Sequence, residues 1–332
     1  MAAHKLERHA VARTGQVLHH AALGRPVRVV CVGHASLDHV FEIEAFSAMA
    51  SKTPARSYRM LAGGMAFNAA VAAARLGAQV RLISRVGSDI AADFLRQRLE
   101  EEGIEAQGVQ TVLGAATSVS AIVVDRTGER QIFNHRGDAI AKAHGLDTRQ
   151  LEGADVVLAD PRWVSGAAAA LNWARSNKVL SVLDGDVAPR ADLQRLVALA
   201  RWAVFSEPGL ATWAPGLARE GALRHACASG ASAAMVTCGE AGSWLCSSPT
   251  ALLMHTGTPE VAAIDTTAAG DVFHGALALA LAEGLVATDA IRWASAAAAF
   301  KCQRGLGALG APTRAELARW LQTRSTTPAS AQ

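Results

Sequence analysis

In the stretch Asp265-Thr266-Thr267-Ala268-Ala269-Gly270-Asp271-Val272-Phe273-His274-Gly275, a carboxylate follows a run of small residues and opens an apolar segment. The small side chains at 268–270 let peptide N–H groups approach an anion closely, and the segment after Asp271 reads as a helix whose positive end faces that anion. Phosphoryl transfer uses both parts. Asp271 can accept a proton from an attacking hydroxyl, while the N–H groups stabilise charge on the transferring group. A plain helix N-terminus with a Thr cap and an acidic first turn has the same spacing, so a second motif has to decide.

The elements that would position this stretch can be read along the chain. Residues 27–33, VRVVCVG, are a β-branched run ending in glycine and predict a buried first strand. Residues 40–44 and 57–61 alternate in polarity, which predicts half-exposed strands away from the main core. Gly63-Gly64 opens an Ala-rich helix over 66–76, stopped by Gly77, and a strand returns over 80–86. A helix over 91–103 precedes two strands, 118–124 and 130–134, joined by the turn Asp125-Arg126-Thr127-Gly128. Strands at 155–159, 179–184, 203–205 and 233–237 then accompany helices at 166–176 and 192–199. Repeated βα units predict a mostly parallel sheet with helices on both faces, an α/β fold of three layers. The hairpin and the alternating strands do not fit inside such a sheet. They are expected as a small β-sheet lid, about 38–62 and 117–137, over its carboxyl edge.

Bulk properties narrow the classes. The chain of 332 residues, 51% hydrophobic and 18% charged, can build one large α/β domain with an elaboration, or two modest domains. Its net charge of +3, without basic runs interleaved with aromatics, argues against nucleic acid as a partner. Cys31, Cys227, Cys238, Cys246 and Cys302 show no CxxC spacing, as expected of free thiols in a reducing cytoplasm. No apolar run approaches the ~18 residues of a membrane span, so no membrane partner is expected. Residues 1–26, with four histidines and no apolar core, are expected as a disordered tail, with a weak basic targeting helix over 5–20 as the alternative. The polar segment 323–332 is expected as a second, flexible tail.

With both glycine segments placed on βα turns, residues 27–322 resemble the ribokinase-like, or PfkB, family of carbohydrate kinases. One family signature, D-T-x-G/A-A-G-D-x-F, matches the stretch from Asp265. The other is represented by Gly63-Gly64-Met65-Ala66-Phe67-Asn68, Leu76-Gly77 and Arg85-Val86-Gly87-Ser88-Asp89. The resemblance implies ATP and Mg²⁺ as cosubstrate and ion, Asp271 as catalytic base, and an anion hole from the amides of Ala268, Ala269 and Gly270. Ala268 stands where many members have glycine, and its backbone is expected to avoid positive φ. Asp38 matches the family acid that binds sugar hydroxyls, Gly63 and Gly64 would bring amides to the sugar, and Asn68 matches the asparagine on the following helix. Thr237, Gly239 and Gly242 resemble the T-x-G-x-x-G of the nucleotide side, where Ser206 is also expected. Residues 301–310, including Gly305, would close over adenine and, with the Asp265 region, offer a monovalent-cation (K⁺) site. The family's N-x-x-E is replaced by Ser206-Glu207-Pro208-Gly209. Glu207 is therefore the candidate Mg²⁺ ligand, unless ATP oxygens and water hold the ion.

Residues 205–210, 157–163, 183–186 and 270–276 resemble the sulfofructose kinase branch, which phosphorylates the 1-hydroxyl of 6-deoxy-6-sulfofructose. The positions matching that branch's sulfonate cradle are Lys52, Asn134 and Arg162, cationic or hydrogen-bonding as an anion requires. Lys52 and Arg162 would equally serve as a surface lysine and a structural ion pair, and Asn68 fits the wider family better than this branch. Ribokinase, fructokinase, 2-keto-3-deoxygluconate kinase or nucleoside kinase activity remains the alternative, as does a non-catalytic sugar-binding regulator on the same fold. An NAD-binding enzyme would need GxGxxG after the first strand, where Gly33-His34-Ala35 stands instead. Exposed lid edges predict a homodimer through the lids.

Overall fold

The computed structural model describes residues 24–48, 52–139 and 145–326. Residues 1–23 of the tail expected over 1–26 and 327–332 of the one expected over 323–332 lie outside them, whereas 323–326 are not tail but the last turn of a helix, Arg314–Thr326. Arg25 is held by a bidentate pair with Asp155, at 2.7 and 2.8 Å.

The first strand, β1 (Arg28–Val32), lies inside a nine-stranded sheet. On one side it pairs in parallel with β4 (Gln79–Val86), which pairs with β5 (Val109–Thr111). On the other side the parallel order continues through β8 (Val156–Ala159), β9 (Leu180–Gly185), β10 (Trp202–Ser206) and β11 (Ala233–Thr237). An antiparallel pair, β12 (Ser243–Cys246) and β13 (Met254–Thr256), ends the sheet. Successive strand residues face opposite sides, and β1 divides accordingly. Val29 and Cys31 enter one apolar cluster with Ala70, Leu277 and Ala297, while Val30 and Val32 enter another with Leu171, Leu193 and Leu223.

The first cluster lies under α1 (Met65–Arg75), α7 (Ala269–Ala282) and α8 (Ala287–Cys302); the second lies under α3 (Val164–Ser176), α4 (Arg190–Val197) and α6 (Arg219–Ala228). These are the expected three layers. Helix α2 (Ile90–Glu101) is capped by Asp89, whose Oδ1 accepts the Ala92 N–H at 3.0 Å. The short α5 (Glu207–Trp213) follows β10, and α9 (Arg314–Thr326) closes the described chain. Among the described residues no helix is long and apolar enough to cross a membrane.

One helix contact matters for chemistry. A Cβ on Gly275 would stand 2.3 Å from the Ala69 carbonyl, so this glycine lets α7 and α1 cross almost backbone to backbone. Asn68 and Asp271, which lie 203 residues apart in sequence, meet across that crossing.

A separate four-stranded sheet has the order β3-β2-β6-β7, with β2 (Ser36–Ile43), β3 (Ala55–Gly63), β6 (Ser118–Val124) and β7 (Arg130–His135). It starts four residues after β1 ends, at the carboxyl edge where a lid was expected. Its first two strands extend beyond the expected 40–44 and 57–61, because register pairing runs from Ser36↔Gly63 through Ile43↔Ala55. In the β6–β7 turn, Asp125 Oδ1 accepts the amides of Thr127 (2.8 Å) and Glu129 (3.0 Å), the local bonding that makes Asp a turn former.

Candidate active site

The loop before α7 is built around Asp265 and Ala268. Asp265 Oδ1 accepts the Thr267 amide at 2.8 Å, and its Oδ2 takes the Gly307 amide at 3.3 Å. Ala268, the N-cap of α7, has φ 62° and ψ 11°. This corrects the expectation that it avoids positive φ: the tight turn from Thr266 into the helix needs the left-handed conformation, at a cost of about 1 kcal/mol for a residue with a Cβ. The Ala269 N–H closes the turn onto Thr266 O at 3.2 Å, while Ala268 O receives the Val272 N–H at 2.9 Å. Ala268, Ala269 and Gly270 thus stand at the positive end of a 14-residue helix.

Asp271 lies in the first turn of α7. Its Oδ2 accepts the Asn68 Nδ2 at 2.7 Å, and burial followed by the field of Asp184 raises its pKa to about 7. A carboxyl poised there can exchange a proton with an alcohol near neutral pH. Asn68 is 7% exposed, and its Oδ1 is a buried acceptor without a hydrogen-bond partner. Such an atom calls for a donor, which a ligand hydroxyl supplies.

Three buried groups that sequence reasoning did not assign to the site surround this pair. Asp184 on β9 is pushed well above the ordinary carboxyl range by burial and by Asp186. His274, one turn along α7 from Asp271, has Nδ1 2.7 Å from Gly270 O and 3.4 Å from Asp184 Oδ2, and Nε2 3.2 Å from Val204 O. Asp160, after β8, accepts the amides of His34 (2.7 Å), Arg162 (2.8 Å) and Ala66 (3.1 Å). In the sequence Asp184 ends an expected strand, Asp160 follows another and His274 lies in the helix after Asp271, and nothing local joins the three. The i to i+4 spacing of Gly270 and His274 was the one local sign.

Two cavities meet at residues 265–270. One, of about 660 Å³, is lined by Thr266, Ala269 and Gly270 together with Thr237, Gly239, Gly242, Ser295, Ala299 and Cys302. The other, of about 440 Å³, is lined by Asp265, Thr267 and Ala268 with Asp38, Asn68 and lid residues including Arg59 and Leu61. Helix α7 therefore presents its N-terminus between them. Arg130 of the lid reaches Thr267 Oγ1 at 3.4 Å, which ties lid position to this loop.

In the lid-side cavity, Asp38 receives the Ser36 hydroxyl at 3.2 Å; burial raises its pKa against the opposing Ser120 and Ser36 hydroxyls. A Cβ on Gly63 would stand 2.2 Å from Asp38 Oδ2, and one on Gly64, with φ 98°, would stand 2.5 Å from His34 O. Both glycines make room for their neighbours. Register puts Leu61, Asp38, Ser120 and Asn134 in one cross-strand row, and Asn134 Nδ2 bonds Ser120 Oγ at 3.1 Å. Arg162 is held by Asp186 Oδ2 at 3.1 Å and Val187 O at 2.9 Å. Lys52 is exposed, next to residues 49–51 outside the description. An additional cationic group converges on His34, whose Nε2 lies 2.9 Å from Ser118 Oγ. Burial and then the fields of Arg162, Arg136 and Arg85 push its pKa down to about 4.

The nucleotide side divides differently. Of the residues expected to bind nucleotide, Thr237, Gly239 and Gly242 line the larger cavity, whereas Gly305 lines the smaller, lid-side one. The chain after α8 doubles back toward β3, so that Gly305 lies within reach of Arg59, 3.9 Å from the position of an added Cβ. Ser206 caps α5, accepting the Gly209 amide at 3.0 Å and donating to Asp186 Oδ1 at 2.9 Å. Glu207 is exposed and pairs with Arg219 at 3.3 Å. Among the described residues no group of three His, Cys, Asp or Glu side chains can hold a metal ion. A Mg²⁺ ion here would have to take most of its ligands from nucleotide oxygens and water.

Such a helix start, with a carboxyl of raised pKa beside it and a cavity on each side, belongs to the α/β phosphotransferases that take an alcohol group as acceptor. Residues 27–314 match the model of the pfkB family carbohydrate kinases, and the chain belongs to that family. It is an ATP-dependent kinase of the ribokinase-like fold. It is 29% identical over 303 residues to a ribokinase of Haemophilus influenzae, covering 88% of this chain and 97% of the relative. An ATP-dependent ribose-1-phosphate kinase of Halopiger xanaduensis is 29% identical over 312 residues, covering 90% and 99%. Among solved structures, a putative ribokinase from Agrobacterium tumefaciens superposes with a TM-score of 0.85 at 34% identity, covering 90% of this chain and 99% of that one.

Proposed function

We propose that this kinase transfers the γ-phosphate of ATP to a hydroxyl of a sugar carrying an anionic end, and that the acceptor is 6-deoxy-6-sulfofructose, phosphorylated at its 1-hydroxyl. The observation that carries the reading is the gathering of Arg162, Arg136 and Arg85 near buried His34, where their fields add to burial in pushing its pKa down and where Asp186 holds Arg162. A neutral sugar has no use for that field. A sulfonate does. Arg162, held by Asp186, and Asn134, in one cross-strand row with Asp38, are the cradle residues assigned to it in this reading, and Lys52 would join them from the exposed segment before β3.

ATP lies in the cavity lined by Thr237, Gly239 and Gly242, and the acceptor in the one lined by Asp38 and Asn68. Asp38 takes hydrogen bonds from sugar hydroxyls, and the free Asn68 Oδ1 takes one from the reacting hydroxyl. Asp271 removes that hydroxyl's proton as the oxygen attacks in line, and the helix start at 268–270 steadies the equatorial oxygens. When bound with ATP, Mg²⁺ would supply neutralising charge on the nucleotide phosphates, held mainly by their oxygens and water. A K⁺ requirement forms no part of this proposal, because the Lys301 ammonium already stands against Asp265.

The test is a coupled assay of ADP release. Sulfofructose should be used at least ~tenfold more efficiently than fructose, ribose or fructose 6-phosphate; equal use of the plain sugars refutes the anionic acceptor. The Halopiger relative favours one second reading, ribose 1-phosphate, which belongs in the same screen. We further infer a homodimer through the lid. Its outer face carries the row Met60, His39, Ala121 and Phe133, and neighbouring Tyr58, with Phe133 63% and Tyr58 49% exposed.

A further inference from the structure

Lys301, in the last turn of α8, has no exposed surface at all, a rare state for a lysine. Its Nζ lies 2.7 Å from the main-chain oxygen of Asp265 and 3.1 Å from Asp265 Oδ2. That carboxylate is the same one that receives the Thr267 and Gly307 amides. The ammonium therefore bonds the first residue of the loop that ends in Asp271. The surroundings are built to keep it there. Cys302 O takes the amides of Ile264 (2.7 Å) and Asp265 (3.1 Å), and Lys301 O takes that of Arg304 (2.8 Å), so the end of α8 and the loop form one bonded unit. Other charges facing the ammonium are few. Burial disfavours its charge most; Asp265 and then Cys302 favour it, and Arg130 from the lid opposes it.

The chemistry of this position is that of a cation site. A main-chain carbonyl and a carboxylate oxygen converge on one point behind the amides of an anion-binding turn. A positive charge there holds the carbonyls turned away from the phosphates and the N–H groups turned toward them. A K⁺ ion, which the family resemblance places in this region, needs several oxygens around it. Here two of those oxygens already bond an ammonium on a covalent stem, and the site does not fit an added monovalent cation.

We propose that Lys301 is a tethered replacement for a monovalent cation: its ammonium orders the 265–270 loop, so this kinase works without K⁺ or NH₄⁺. The proposal rests on the kinase reading for its activity assay but not for its binding assays. Lys301 acts through the loop and is a positioning residue, not a catalytic one.

The test compares wild type, Lys301→Ala and Lys301→Arg in Mg²⁺-containing buffers whose only monovalent cation is tetramethylammonium, and again with saturating K⁺ or NH₄⁺. Thermal midpoint, ADP affinity by calorimetry and turnover are read for each. Wild type should show the same midpoint and ADP affinity in all buffers, with turnover changed less than about twofold by salt. Lys301→Ala leaves room for an ion and should lose at least ~tenfold in turnover, regaining much of it, with ADP affinity, on adding K⁺ or NH₄⁺ but not tetramethylammonium. Lys301→Arg should need no added ion. Strong activation or stabilisation of wild type by K⁺ overturns the proposal, as does full ion-independent activity of Lys301→Ala. A loss in Lys301→Ala that no ion restores assigns the lysine to folding alone and overturns it too. If Lys301→Ala does not fold, the wild-type midpoint and ADP affinity across the salts still decide. If wild type phosphorylates no sugar, the acceptor reading fails, and those same binding data judge Lys301 separately.

Discussion

Removing the amide of Asn68 should move the pH dependence of turnover, not just its height. The Asn68 Nδ2 bond to Asp271 Oδ2, at 2.7 Å, favours the charged carboxylate. Hydrogen bonds to charged groups contribute about 1.5–3 kcal/mol, and one pKa unit corresponds to about 1.4 kcal/mol. Asn68→Ala should therefore raise the pKa of Asp271 by about one to two units from its position near 7. The base form is the active one, so activity is lost as pH falls through that pKa. At pH 7 the base fraction drops from about half to about a tenth or less, and most of it returns above pH 9. The assay is kcat/KM against pH, with a buffer series at constant ionic strength. The acid limb should shift upward by at least about one unit. A uniform loss at every pH, with the limb unmoved, would refute this reasoning and leave Asn68 a substrate contact only.

The remaining expectations are simpler. Asp271→Asn should lower turnover at least ~100-fold with ATP and sugar binding retained, as general-base loss requires; near-normal turnover removes Asp271 from that role. The same variant should be more stable than wild type at pH 8. Burial raises the folded pKa of Asp271 far above its unfolded value near 4, so its ionisation opposes folding as pH rises from about 4 to about 7, by at most about 4 kcal/mol. Melting curves should converge for the two proteins near pH 4. Ala268→Gly relieves a left-handed alanine at φ 62° and should raise the melting midpoint by about 1–2 °C, whereas an unchanged or lower midpoint would argue that the loop is not strained. Phe133→Glu on the outer lid face should give monomers by light scattering, and a persistent dimer would place the interface elsewhere.

Much of the molecule is legible in the sequence because it depends on local chemistry. Alternation with period two marks strands, glycine pairs mark βα turns, and small residues before Asp271 mark an anion-binding helix start. From these the parallel sheet, the separate lid and the loop at 265–271 follow. The separation of Gly63-Gly64 from Asp265 by some two hundred residues does not hide them, since each motif is self-contained.

What the sequence leaves open are pairings between buried polar groups that no period encodes. Asn68 meets Asp271 only because Gly275 lets α7 cross α1 against Ala69. Asp184 and His274 read as interior residues until the sheet brings β9 under α7. Gly305 falls on the lid side because the chain after α8 turns back toward β3, a long-range path that a glycine-rich segment does not announce. Ala268 adopts positive φ although a side chain disfavours it, since the turn closed by Thr266 and the helix behind it outweigh a local preference of about 1 kcal/mol. Lys301 is the clearest case. In sequence it is the first residue of the glycine-rich segment 301–310, and only the folded chain buries its ammonium completely against Asp265. Local residue chemistry determines which groups can act; the tertiary structure decides which charges face one another, because electrostatic strength depends on burial and distance set by distant parts of the chain.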